Sequence, residues 1–333
     1  MNVKVKAMPL LAVGSLTVDY RTSMGTVRAV EDVSFTLEKG ETLGLAGESG
    51  SGKSTLGLSI IRLTPPPGRI VEGKIKIDGT DVLKLSEDQM RAIRGRKVAY
   101  IFQDPMTSLN PVKKIGAHFV ELVQAHEPNT NKEEALARAK TIFNNLGMLT
   151  ERINDYPHQF SGGMRQRIMI GLAIALNPDL VIADEPTTAL DVIVQAKILD
   201  LLESLRKTYG MALILISHDL SIILERCDRI IVMYGGHMIE YADSAELHKN
   251  PVHPYTQGLL QSIPNIELAD QKLSAIPGSP PNMLNPPKGC RFWPRCEYAK
   301  TICKSEEPSL IDLGNHHFVR CFLPSGEGAK DIE

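Results

Sequence analysis

Short, unbroken apolar runs recur along the chain, and each ends at polar or glycine-rich punctuation: Thr42 to Ala46, Val98 to Phe102, Leu180 to Ala183 and Ala212 to Ile216. Runs of this length between turn residues predict buried strands of a sheet covered on both faces. Leu11 to Tyr20 and Ala29 to Leu37 predict two further strands, with a turn at Glu38-Lys39-Gly40-Glu41. Lys74 to Ile77 alternates as a half-exposed strand, between the break Pro65-Pro66-Pro67-Gly68 and the turn Asp78-Gly79. From Pro111 to about Pro157 the rhythm becomes helical. Leu136, Ala139, Ile142, Phe143 and Leu146 share one face, and Gly147 is a stop. This insert adds length without chemistry of its own, which suggests a docking or lever subdomain. Helices are also expected from Thr55 through Ile61, over Ile168 to Leu176 and from Thr188 to about Tyr209.

The chemistry sits where the buried runs stop. Thr42 to Ala46 delivers Gly47-Glu48-Ser49-Gly50-Ser51-Gly52-Lys53-Ser54, which fits the phosphate-loop pattern G-x-x-x-x-G-K-[ST]. The glycines let successive N–H groups turn inward onto phosphate oxygens. Lys53 is placed to reach the β- and γ-phosphates and the Ser54 hydroxyl to sit on Mg²⁺, with a helix N-terminus beneath. The strand 179–183 delivers Asp184-Glu185-Pro186. Asp184 is expected to help hold Mg²⁺, and Glu185 to polarise a water attacking the γ-phosphate. Val98 to Phe102 delivers Gln103-Asp104-Pro105, and Ala212 to Ile216 delivers Ser217-His218-Asp219. In an open α/β sheet that edge is where ligands sit. Ser161-Gly162-Gly163 at a helix start is a second anion-binding feature, through free N–H groups and the helix dipole. Tyr20 is either a core aromatic or a platform for a base.

Composition narrows the partners. With 333 residues, 43% of them hydrophobic, the chain can bury a large α/β core plus an appendage. A formal net charge of −2 gives no global basic field for nucleic acid. No apolar run approaches the roughly 18 residues needed to span a bilayer. Met1-Asn2-Val3-Lys4-Val5-Lys6 lacks a secretory apolar region, so a cytosolic chain that can dock on a membrane protein is expected. Of five cysteines, Cys227 stands alone and Cys290, Cys296, Cys303 and Cys321 crowd the tail as C-x5-C-x6-C-x17-C. In a reducing compartment this clustering favours metal or cluster ligation over disulfides, either a structural Zn²⁺ or an iron–sulfur cluster. The gaps are wider than the usual zinc pairs, and Arg291, Arg295 and Lys300 could offset an anionic cluster. His316 and His317 are candidate competing ligands but read rather as a solvated turn.

In this order the motifs resemble the nucleotide-binding subunit of an ATP-binding cassette (ABC) transporter, over about residues 8 to 260. The resemblance implies an α/β, ABC-type P-loop ATPase: a mixed RecA-like sheet core, an antiparallel β subdomain, a helical subdomain at about 104–165 and a small irregular C-terminal extension. It assigns Gly47 to Ser54 as Walker A, with Thr55 following, Leu180 to Asp184 as Walker B and Glu185 as catalytic glutamate. Gln103 becomes the Q-loop residue and joins Ser54 and Asp184 at Mg²⁺, Ala189-Leu190-Asp191 the D-loop, His218 the switch histidine and Tyr20 the adenine-stacking aromatic. Ser161-Gly162-Gly163 matches the signature, usually Leu-Ser-Gly-Gly-Gln, though Phe160 and Met164 depart at its flanks. A head-to-tail dimer follows, with two ATP molecules between one subunit's Walker A loop and the other's signature.

The tail after 250 is similar to that of oligopeptide/dipeptide-importer ATPase subunits, which implies a [4Fe-4S] cluster on Cys290, Cys296, Cys303 and Cys321, with Zn²⁺ as the alternative. The expected division is a nucleotide-binding domain over 1–250 and a cysteine-bearing extension over 251–333. The expected function is an ATPase subunit, peripheral on the cytoplasmic membrane face, coupling ATP hydrolysis to uptake of di- or oligopeptides. Its expected partners are a paralogous second ATPase, two membrane permease subunits and, indirectly, an extracytoplasmic peptide-binding protein, with no nucleic acid. The same machinery importing nickel or glutathione is the nearest alternative. A soluble cassette ATPase of DNA repair or translation is disfavoured, since the chain has neither long coiled coils nor a second cassette. A cluster-bearing regulatory protein is disfavoured by the intact Lys53 and Glu185.

Overall fold

The expected strands form, mostly with longer ends. In chain order the strands are β1 (Leu11–Thr22), β2 (Gly25–Leu37), β3 (Thr42–Ala46), β4 (Gly68–Ile77), β5 (Thr80–Asp81), β6 (Val98–Ile101), β7 (Leu180–Asp184), β8 (Ala212–Ile216), β9 (Arg229–Tyr234), β10 (His237–Asp243), β11 (Ile311–Asp312), β12 (Phe318–Val319) and β13 (Lys330–Asp331), of which β5 and β9 to β13 are not among those expected. The computed structural model describes residues 8–104, 108–188, 190–263, 276–324 and 330–331. Pro105 and Ala189, named above beside Gln103 and Leu190, lie outside the described residues.

The chain divides into two units. The first contains 1–10, 38–41 and 77–214. In it β6 and β7 run parallel, with Val98 opposite Leu180 and Ile101 opposite Ala183, and β7 is buried along its whole length. The helical insert is built as its periodicity requires. Asn131 caps the helix Lys132–Asn145 by accepting from the Glu134 N–H at 2.8 Å, and Glu133 and Glu134 in its first turn favour the positive end of the dipole. Ala135, Ala139, Ile142 and Phe143 are its buried face; Phe143 meets Phe119 of the helix Ile115–His126 edge-on at 6.0 Å. The helix after Ser161 spans Gly162–Ile174, beginning six residues earlier than its apolar stretch suggests, because Ser161 caps it. The helix predicted from Thr188 begins at Val192 and ends at Tyr209, where Gly210 takes the left-handed conformation.

The second unit contains 11–37, 42–76 and 215–333. β1 and β2 pair antiparallel over their length, with register breaks between Val13 and Leu16 and again around Val18, and β4 lies on the other side of β1. β3 pairs parallel to β9, and β9 antiparallel to β10. β10 then pairs with β12 of the tail, Glu240 opposite Val319, and β12 with β11 and β11 with β13. Part of the tail therefore continues the sheet that β3 belongs to. Among the described residues, no helix is long and apolar enough to cross a membrane.

Candidate nucleotide site

In the second unit β3 ends at Ala46 and the phosphate loop begins. Gly47 has φ 141 and Gly52 φ 105. A Cβ at Gly47 would stand 2.2 Å from the Met233 carbonyl oxygen, and one at Gly52 2.2 Å from that of Ala29. Both positions are closed to any other residue, which explains the two glycines on which the pattern depends. The helix Lys53–Ile60 follows at once with Gly52 as its N-cap. The buried Lys53 ammonium donates to the Gly47 and Glu48 carbonyls at 2.7 and 2.9 Å. Ser54 is exposed. The Tyr20 hydroxyl lies 3.4 Å from the Thr55 hydroxyl, so Tyr20 borders the start of this helix. His218 is exposed in the bend after β8. The Ser217 N–H just before it donates to the Leu45 carbonyl at 3.1 Å, tying that bend to the strand that leads into the loop.

The first unit carries the carboxylates. Because β6 and β7 are parallel neighbours in register, Gln103 and Glu185 leave the sheet at the same edge. Gln103 Nε2 donates to Glu185 Oε2 at 2.9 Å, and the Thr188 hydroxyl donates to the same oxygen at 2.8 Å. Glu185 itself has φ 45, a left-handed conformation that a glutamate rarely adopts. The Tyr100 hydroxyl donates to Asp184 Oδ2 at 2.7 Å. Burial, and then the Asp184 charge, raise the Tyr100 phenol well above its usual range, so it remains a donor. Sequence reading missed Tyr100. The available signal was a polar-tipped aromatic inside an otherwise apolar strand.

Ser161 and Asp191, also in the first unit, both act as N-caps. The Ser161 hydroxyl accepts from the Met164 N–H at 3.4 Å, and Asp191 from the Val194 N–H at 3.0 Å. A Cβ on Gly163 would come 2.7 Å from a Val194 methyl, so glycine lets the two helix starts approach. Together with Gly162, Arg167 and Lys197 these residues line an open cleft of about 460 Å³. Two helix N-termini and two cationic side chains give it the polarity of an anion site.

The chain matches the ABC transporter family over residues 30–188, and the family described as oligopeptide/dipeptide transporter, C-terminal region, over residues 239–303. It is 45% identical to the oligopeptide transport ATP-binding protein OppD of Bacillus subtilis over 330 residues, 98% of this chain and 92% of that protein. It is 42% identical to the dipeptide transport ATP-binding protein DppD of Escherichia coli over 325 residues, 97% and 99% of the two chains. The chain belongs to the ABC transporter ATPases. Within them it is an ATP-binding subunit of the oligopeptide/dipeptide type. A dimeric post-hydrolysis structure of the ATP-binding cassette MJ0796, bound to ADP and Pi, superposes with a TM-score of 0.63 at 28% identity, covering 70% of this chain and 98% of that one.

The tail of this ABC ATPase departs from expectation in several places. Burial above all, with the neighbouring tail thiols acting in the same direction, pushes the Cys290 thiol up to about 11 and the Cys321 thiol up to about 12. Among the described residues, however, no group of three or more His, Cys, Asp or Glu side chains is arranged to hold a metal ion. Nor are the basic residues simply turned on the thiols. Arg291 pairs with Glu31 and donates to the Gly235 carbonyl, Arg295 pairs with Glu48, and Lys300 reaches the Phe322 carbonyl at 3.3 Å. His317 is no part of a solvated turn: it is buried, its Nε2 2.8 Å from the fully buried Glu240 carboxylate, whereas His316 is exposed. Glu240 also accepts from the Val252 and His253 N–H groups at 2.7 and 3.0 Å. A buried carboxylate demands such partners, and they come from two separate parts of the tail.

Proposed function

We propose that this subunit couples ATP binding and hydrolysis to uptake of di- and oligopeptides, from the cytoplasmic face of the membrane. Its partners in this reading are two membrane permeases, a paralogous second ATPase and, indirectly, an extracytoplasmic peptide-binding protein. The near full-length likeness to OppD and DppD supports the substrate class. The cassette occupies 1–250 and the extension 251–333. Tyr20 stacks on the adenine, and the loop from Gly47 to Thr55, with Lys53, holds the phosphates. Ser54, Gln103 and Asp184 would hold Mg²⁺, whose charge offsets that of the phosphates. Glu185 orients and polarises the attacking water, and His218 senses the γ-phosphate. Ser161, Gly162, Gly163 and Asp191 complete the site of the partner subunit, a reading supported by the dimeric MJ0796 cassette and by the cleft these four residues share. The fit to nucleotide rests on the chain's own geometry: a loop whose two closest backbone approaches admit only glycine, followed directly by a helix N-terminus. For Cys290, Cys296, Cys303 and Cys321 we propose a [4Fe-4S] cluster, Zn²⁺ being the alternative, supported by their spacing in the sequence.

The observation that carries the enzymatic assignment is the Gln103–Glu185–Thr188 group at the end of β7, beside Asp184. Glu185→Gln keeps the size and a hydrogen-bonding end but removes the base. Turnover should fall by about two to four orders of magnitude, the usual range for a general base, with ATP still bound. Undiminished hydrolysis by this variant removes Glu185 from its assigned role.

A further inference from the structure

The phosphate-loop pattern leaves position 48 open, since none of the four residues between Gly47 and Gly52 is dictated by the phosphates. Here all three polar handles of Glu48 are taken. Its carbonyl accepts from Lys53 Nζ at 2.9 Å, its N–H donates to the Tyr255 hydroxyl at 2.8 Å, and its carboxylate receives both terminal nitrogens of Arg295 at 2.8 and 3.0 Å. Tyr255 and Arg295 both come from the tail, 207 and 247 residues further along the chain.

Arg295 is built for this contact. A guanidinium has five N–H donors, and each has an acceptor. Nε donates to the Pro277 carbonyl at 2.8 Å, and the terminal nitrogens reach both Glu48 oxygens, the Tyr234 hydroxyl at 3.3 Å and the Ile276 carbonyl at 3.4 Å. The group is 9% exposed, with the Tyr234 and Phe292 rings 5.7 and 5.9 Å away. Tyr234, Tyr255 and Phe292 pack on one another at 4.6 to 5.4 Å, a rigid bed beneath the contact. A second line runs nearby: Arg291 donates to the Gly235 carbonyl, and the Gly236 N–H donates to the Ser51 carbonyl at 3.0 Å.

We propose that Arg295 and Tyr255 are positioning residues for ATP: the tail braces the phosphate loop through Glu48 and thereby sets its affinity for nucleotide. This rests on the reading of Gly47 to Ser54 as the ATP site. The physical reason is preorganisation. A glycine-rich loop with Ser49 and Gly50 exposed must be ordered when phosphates bind, and ordering it beforehand removes that cost from binding. Glu48 also fixes the start of the backbone that holds the Lys53 ammonium.

The test uses the full chain with its transporter partners. A fluorescent ATP analogue measures affinity, steady-state ATPase measures KM and kcat, and thermal unfolding without nucleotide reports structural damage. Arg295→Met should weaken nucleotide binding about tenfold and raise KM to match, with kcat little changed; it leaves the Glu48 carboxylate and buried carbonyls unpaired, so its unfolding midpoint should fall and affinity is measured well below that midpoint, where the variant is fully folded. Arg295→Lys should not restore affinity, since an ammonium lacks the two-pronged fork. Tyr255→Phe, the milder change, should weaken binding about threefold. Glu48→Gln should reproduce much of the Arg295→Met loss, and the double variant should lose no more than Arg295→Met alone, because both break one contact. Affinities of Arg295→Met and Tyr255→Phe within twofold of the unmutated chain overturn the proposal, as does full additivity of Glu48→Gln and Arg295→Met. Failure of the unmutated chain to bind nucleotide would instead overturn the reading of the loop, and the proposal with it.

Discussion

Replacing Tyr100 with Phe removes one oxygen and tests whether the Asp184 carboxylate is held in place by its neighbour. The hydroxyl donates to Asp184 Oδ2 at 2.7 Å, and Asp184 is only 6% exposed. The Tyr100 ring lies 4.8 Å from that of Phe102, a contact a phenylalanine keeps, so the change is confined to the hydrogen bond. A hydrogen bond to a charged group contributes about 1.5–3 kcal/mol. In the variant Asp184 keeps its other contacts and loses this one, and on its proposed role at Mg²⁺ the loss falls on binding of that ion. At about 1.4 kcal/mol per decade, the bond corresponds to a tenfold to hundredfold effect. We expect Tyr100→Phe to need about ten times more free Mg²⁺ for half-maximal ATPase, and to turn over several-fold more slowly at saturation. The phenol of the unmutated protein stays protonated well above its ordinary range, so this difference should persist from pH 7 to pH 9. The assay is ATPase rate against free Mg²⁺ at saturating ATP, with thermal unfolding as control. A variant within twofold of the unmutated protein in both half-saturation and maximal rate would refute the reasoning.

Acid should loosen the second unit. His253 is 1% exposed, and burial lowers its pKa from 6.5 to about 4. The unfolded chain therefore binds this proton first as pH falls, so the stability is intact above about pH 6.5 and is lost towards pH 4, at about 1.4 kcal/mol per pH unit and roughly 3 kcal/mol in all. The urea midpoint should drop between pH 7 and pH 5, and less steeply in His253→Gln; equal slopes for the two proteins would remove His253 as the cause. Purified without oxygen, the protein should absorb broadly in the visible and contain iron and sulfide, and stoichiometric zinc in their place would overturn the cluster assignment.

The parts of the site legible in the sequence are those where one backbone segment does the work. Gly47 and Gly52 had to be glycine because their Cβ atoms would meet carbonyl oxygens, and that constraint is written locally. Gln103 and Glu185 could be placed on one sheet edge because two apolar runs of similar length end in polar residues, and parallel register brings them within a hydrogen bond. What stayed hidden depends on residues far apart along the chain. Tyr100 looked like strand filling, because only the folded register shows Asp184 across from its hydroxyl. His317 looked solvated, because nothing near it in sequence announces Glu240, 77 residues earlier. Arg295 was noticed, but for the wrong partner: its position one residue before Cys296 suggested a counter-charge to the thiols, while its guanidinium is spent on Glu48. That error is informative. A tail read as an appendage with separate cysteine chemistry supplies the ion-pair partner of the phosphate loop's second residue, and it joins the sheet of β3, the strand from which that loop springs. In this chain the loop pattern accounts for Gly47 and Gly52, and the tail for why the open position 48 carries a glutamate.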